Sequence, residues 1–281
     1  MYRNYLNVPI RSLVKHKGYS AINVMGLAIG IACCLMIVLF IRDELSYDRY
    51  HEKADQIYRV TLHGLLAGQV IETTTTSSPM AHTLMAEYPE VEIATRVQQF
   101  NRESLVRQGD IQFQEKRVFS ADSSFFQVFT APLIAGDPTT ALREPNTVVL
   151  TEEIARKYFG DTDPLGQTLK FNDTEYRITG VTQNVPSNSH FHYDFLVSFV
   201  TSSDSRSPIW INNNLQTYLV LQEDYPPEQL AAKFPDLIRK YVGPQVEQAM
   251  GITVDEFLAS GGRYDFALQP LTDIHLHSHY E

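Results

Sequence analysis

The sequence predicts an α+β protein. One N-terminal transmembrane helix leads into an extracytoplasmic domain. That domain is expected to be a split β-α-β, ferredoxin-like sandwich with a mostly-β subdomain inserted in it. Three observations carry this. Val24–Ile41 is a run of 18 apolar or small residues without a charge. Residues 1–20 hold Arg3, Arg11, Lys15 and Lys17 and no acid. Beyond the run, the order strand–helix–strand appears twice, far apart in the chain.

The apolar run covers about 27 Å as a helix, close to a bilayer core of about 30 Å. A buried core helix of this length would show a polar face, and this run shows none. A cleaved signal peptide fits the basic start but not the length, and Arg42-Asp43-Glu44 follows with no small-x-small site. A lipoprotein signal fails because the run continues past Cys33 and Cys34, neither of which follows a lipobox. By the positive-inside rule, residues 1–20 are cytoplasmic, residues 21–41 span, and residues 42–281 lie outside. Arg11, Lys15 and Lys17 set that orientation at the lipid interface, and Arg42 snorkels to the far headgroups. Leu6, Ile10, Leu13 and Val14 recur at helical spacing, so residues 2–17 read as an amphipathic interfacial helix or a frayed basic leader. Gly26 and Gly30 form a G-x-x-x-G face that permits close approach of another membrane helix, although single spans often carry this motif by chance.

The first β-α-β unit occupies residues 56–100. Gln56–His63 alternates as a strand, Ser78-Pro79 opens a helix ending near Tyr88, and Val91–Phe100 is the second strand. The second unit occupies residues 212–271. Leu215–Gln222 is a strand, Pro226-Pro227 opens a helix to about Tyr241, and Arg263–Leu271 closes the unit. Two such units make the split sandwich. The insert, residues 101–205, has short strands at Ser104–Arg107, Ile111–Phe113 and Arg117–Ser120. Asp122 and Thr151 are candidate caps of two helices, the second ending at Gly160. Thr168–Phe171 and Glu175–Val181 flank a turn at Asn172-Asp173.

The chain has 281 residues, 43% apolar, with a net charge of −10. Since residues 1–20 carry +4, the rest carries −14. An acidic body argues against nucleic-acid partners, which require clustered Lys and Arg. The adjacent cysteines leave no disulfide possible within residues 42–281. Catalytic signatures are missing: there is no G-x-S-x-G elbow, phosphate loop or H-E-x-x-H helix. Gly160–Pro164 reads as a helix stop rather than a calcium loop, lacking the closing acid. His275, His277 and His279 would share one face of a strand, as would His190, His192 and Asp194. Solvated or edge histidines explain both sets without a metal. Trp210 reads as a packing residue.

Four stretches resemble a known family. They are His16–Val60 (HKGYSAINVMGLAIGIACCLMIVLFIRDELSYDRYHEKADQIYRV), Phe125–Leu142, Val148–Leu169 and Tyr176–Phe199 (YRITGVTQNVPSNSHFHYDFLVSF). Together they resemble MacB-type ABC transporter permeases with a MacB-like periplasmic core domain, in the FtsX-like permease family. The resemblance implies a non-enzymatic permease subunit in a bacterial inner membrane, with a porter-like domain between its first and second membrane helices. It implies a dimer with a second permease subunit and a cytoplasmic ABC ATPase subunit that binds the ATP, so the chain itself needs no cofactor. It also implies four membrane helices, of which this chain is expected to hold the first. A single-span anchored binding or adaptor protein without transport is the alternative.

Overall fold

The computed structural model describes residues 15–66, 69–100 and 102–278. Arg11, most of the expected amphipathic segment, and His279 lie outside the described residues. The chain divides into two units, Met1–Ser46 and Tyr47–Glu281.

The first unit is helix α1 (Lys17–Glu44). Its 28 residues include none that is buried. Its mean hydropathy over the best 18-residue window is 2.9, and it is the one helix among the described residues long and apolar enough to cross a membrane. An apolar helix with every face exposed needs a lipid environment.

The second unit is organised by one mixed sheet of 14 strands. In chain order these are β1 (Ile57–Leu66), β2 (Gln69–Thr73), β3 (Thr76–Ser77), β4 (Val91–Gln99), β5 (Ser104–Gln108), β6 (Ile111–Glu115) and β7 (Val118–Ala121). There follow β8 (Leu133–Gly136), β9 (Thr147–Thr151), β10 (Thr168–Phe171), β11 (Thr174–Thr182), β12 (Phe195–Ser198), β13 (Asn213–Leu221) and β14 (Arg263–Pro270). The path runs β14-β1-β13-β4-β7-β12-β9-β11-β10-β5-β6. Its first four strands are antiparallel throughout and follow the 4-1-3-2 order of a ferredoxin-like sheet. The α+β fold class expected from the sequence is therefore present. The insert does not stand apart. Its strand β7 pairs with β4, Val97 opposite Ala121, so one sheet runs through both parts.

Three apolar clusters hold this unit. Helix α2 (Met80–Glu87) and the helices after β13 pack Met80, Leu84, Phe234 and Leu237 on one face of β1 and β4. A second cluster, around the short helix α3 (Phe125–Val128), joins the two parts of the sheet through Phe119, Phe125, Phe129, Leu196 and Tyr218. Each buried Phe there contributes about 1.5–3 kcal/mol. The third fills the insert around Val148, Phe171 and Phe195 beneath α4 (Glu152–Phe159). Trp210 is buried, stacked on Tyr241 at 5.0 Å.

Several local expectations are corrected. Ser78 does not cap α2; its hydroxyl donates to the Asp204 carbonyl at 2.6 Å. Asp122 caps nothing, because its carboxylate is taken by Arg96. Thr151 sits at the N-cap position of α4 without a side-chain bond, and Asn184 Oδ1 accepts from the Glu153 N–H instead. In each case a tertiary partner outcompeted the local cap. The helix expected from Pro226 to Tyr241 is broken into Pro227–Ala231 and Phe234–Leu237, followed by a π turn at Ile238–Val242. Pro235 has no N–H to donate and instead sits in the first turn of the second piece. Ile274–His277 is a helical turn, not a strand, so His275 and His277 do not share a strand face. His275 stacks on Tyr47 at 3.4 Å, whereas His277 is exposed, 3.9 Å from Asp273.

Candidate functional site

Gly26 and Gly30 lie mid-helix in α1, and a Cβ on either would meet nothing within 4 Å. They leave an open notch along the helix. Lys15 and Lys17 stand exposed at its start and Arg42 exposed in its last turn. These residues form no pocket; together they define an apolar helix flanked by cations.

The chemistry of the second unit centres on Asp48. This residue is fully buried and has φ +59. Asp tolerates that left-handed backbone because its short side chain bonds locally. Its N–H donates to the Asn188 carbonyl at 2.9 Å, and its Oδ1 accepts from the His190 N–H at 3.1 Å. Residues 188–190 are thereby tied to the segment that precedes β1. His190 Nδ1 lies 2.9 Å from Asp48 Oδ1, at ion-pair distance but with no hydrogen-bond partner of its own. On the other side of the ring, Nε2 is 2.9 Å from the Tyr218 hydroxyl, which donates to Gln216 Oε1 at 3.2 Å. A polar path thus runs Asp48–His190–Tyr218–Gln216 through the core.

His51 completes the cluster. Its Nδ1 accepts from the Thr130 N–H at 3.0 Å, and its Nε2 lies 3.9 Å from Asp48 Oδ1. Burial, only partly opposed by Asp48, lowers its pKa to about 4, so the ring is neutral at pH 7. Burial likewise pushes the neighbouring Tyr50 phenol up to about 12. Asp48 Oδ2, His51 Nε2 and His190 Nδ1 are all buried without a hydrogen-bond partner. A cluster of this kind has the polar partners that a buried water needs.

His190, His192 and Asp194 do not converge. The His190 ring turns to Asp48, His192 stands beside it only in the lining of a shared cavity, and Asp194 pairs with Arg117 at 2.8 Å. Among the described residues no group of three or more His, Cys, Asp or Glu is arranged to hold a metal ion. Reading the sequence missed Asp48 and His51. Both lie in the quoted stretch His16–Val60 and His190 in Tyr176–Phe199, but a pairing across about 140 residues leaves no local signal.

The family profile of the MacB-like periplasmic core domain matches residues 20–237. Three solved structures are similar. A domain of a Porphyromonas gingivalis protein with a provisional permease assignment shares 25% identity, covering 78% of this chain and 91% of that one, with a TM-score of 0.66. The periplasmic region of MacB from Actinobacillus actinomycetemcomitans shares 14% identity over 79% and 91%, with a TM-score of 0.49. The extracellular domain of the noncanonic ABC-type transporter YknZ from Gram-positive bacteria shares 11% over 75% and 99%, with a TM-score of 0.45. No curated protein matches.

Proposed function

The chain belongs to the MacB-like periplasmic core domain family, and from that premise we propose that it is a permease subunit of an ABC-type transporter. One observation carries the reading. The family match begins at residue 20, inside α1, and continues through the sheet unit to residue 237. Apolar helix and sheet domain thus belong to one family unit, an N-terminal membrane helix followed by a periplasmic-type domain.

In this proposal the N-terminus is cytoplasmic and residues 42–281 face the periplasm, with the helix in the bacterial inner membrane. Lys15, Lys17 and Arg11 hold the cytoplasmic side, and Arg42 the outer one. A cytoplasmic ABC ATPase subunit binds ATP, and its closure is passed through the membrane to the external domain to export or extract a substrate. The Gly26–Gly30 notch packs against another membrane helix of the assembly, including a second permease subunit.

The test is to tag the protein at its native locus, extract it in mild detergent and identify what co-purifies. An ABC ATPase in stoichiometric amount, lost when Gly30 is replaced by Leu although the chain still inserts, is the expected result. A membrane-inserted chain recovered without any ATPase would replace this reading with an anchored binding protein.

A further inference from the structure

A cavity of about 490 Å³ opens where the end of β4, the start of β13, β7 and residues 190–192 meet. Its size is that of a small-molecule site. Four carboxamides line it: Gln98, Gln99, Asn214 and Gln216. Carboxamides both donate and accept, as hydroxyls do. Three of them are fixed through their amide nitrogens. Gln98 donates to the Asn214 carbonyl, Asn214 to Asp204, and Gln216 to Thr74, at 3.0–3.4 Å. Held side chains lose little freedom on binding.

The charge of the lining is neutralised. Among the described residues around the cavity there is no carboxylate. The one guanidinium, Arg117, is held by Asp194 through Nε at 3.0 Å and Nη2 at 2.8 Å. Phe119 and Phe191 add apolar surface. At the cavity β4 and β13 part: their pairing ends at Val97 opposite Gln216, and Gln98 and Gln99 pair only with β7, through Ser120 and Phe119.

We propose that this cavity binds a neutral saccharide. Ring hydroxyls meet the carboxamides and Thr75, and the C–H faces of the sugar pack on the two phenylalanines. A cation would find no carboxylate in the lining, and an anion would find only Arg117, whose charge Asp194 already meets. Because Gln216 and His190 belong to both the cavity and the Asp48 path, a bound sugar touches that path directly. The site stands whether or not the chain moves a cargo.

The experiment titrates the full chain in nanodiscs, by calorimetry, with maltotriose, cellotriose and triacetylchitotriose, and with N-acetylneuraminic acid as anionic control. At least one neutral sugar is expected to bind with a Kd of about 1 mM or tighter. Gln99 is exposed and His192 half-buried, so Gln99→Ala and His192→Ala are expected to keep the wild-type melting curve. Each should weaken the sugar by about tenfold. No binding of any neutral sugar overturns the proposal. So does equal binding of the anionic control. Unchanged affinity in both variants places the sugar elsewhere and also overturns it.

Discussion

Two buried ionic networks of the sheet unit differ in one respect, which is whether their polar atoms are satisfied. Arg96, on β4, is saturated. Its Nε and Nη2 donate to the two Asp122 oxygens at 2.8 Å each. Its Nη1 donates to the Ser78 carbonyl, the Ser78 hydroxyl and the Ser205 carbonyl at 2.9–3.0 Å. His82 takes Nη2 at 3.1 Å, and the Phe199 ring lies 4.7 Å from the guanidinium carbon. Asp48 anchors the other network, where three buried atoms make no hydrogen bond. A saturated network fixes the place where β4 passes into the insert. An unsatisfied one stores a preference for change, because each orphaned atom gains when a water or a shifted neighbour arrives.

Breaking the saturated network should have the largest effect. Arg96→Met leaves the Asp122 carboxylate with only the backbone N–H of residue 96, and deprives the Ser78 and Ser205 carbonyls of the guanidinium. A loss of about 4 kcal/mol is expected, a little below the usual maximum because Asp122 is 13% exposed and can be rehydrated. Denaturant unfolding of the full chain measures it. A loss below about 1 kcal/mol would mean that the apolar cluster alone joins the two parts of the sheet.

The unsatisfied network should instead be read through pH. His51 has a folded pKa of about 4, below its ordinary 6.5. The unfolded chain therefore takes the proton first. Stability is full above about pH 6.5, falls as the pH drops towards about 4, and falls no further from this group below that. The total loss is at most about 3 kcal/mol. His51→Gln, which keeps an acceptor for the Thr130 N–H, should flatten that part of the curve. Asp48, His190 and Tyr50 remain facing the position, and a slope unchanged in the variant would mean that His51 does not carry the acid sensitivity.

Asp48 separates charge from geometry. Asp48→Asn keeps a residue suited to φ +59 and an acceptor for the His190 N–H, and should cost about 1 kcal/mol. Asp48→Ala loses both and should cost about 2 kcal/mol. Equal costs, measured by the same unfolding, would show that the carboxylate charge matters more than the tie it makes to residues 188–190.

What was legible in the sequence was whatever rests on pattern. The 18-residue apolar run became α1, and alternating apolar residues at 56–63 and 215–222 became β1 and β13. Asn172-Asp173 formed the two-residue turn, Asn172 with φ +51. Fully buried strands such as β9 and β12 escaped, since a short apolar run without alternation has no period to read. The networks escaped for another reason. Asp122 looks like a cap and His190 like one of an alternating set until Arg96 and Asp48 are brought to them from 26 and 142 residues away.

The smallest expected effect tests the far end of the Asp48 path. Tyr218 is fully buried, and its hydroxyl stands between His190 Nε2 and Gln216 Oε1. In a saturated network, removing such a hydroxyl would strand two partners in a dry interior at full desolvation cost. Here both His190 and Gln216 also line the open cavity, so water can take the vacated positions. Tyr218→Phe keeps the ring and its packing on Phe129 at 5.0 Å. The loss should be about 1 kcal/mol or less. A loss of about 3 kcal/mol would show that this end is as dry and as fully committed as Arg96, and the contrast between the two networks would fail.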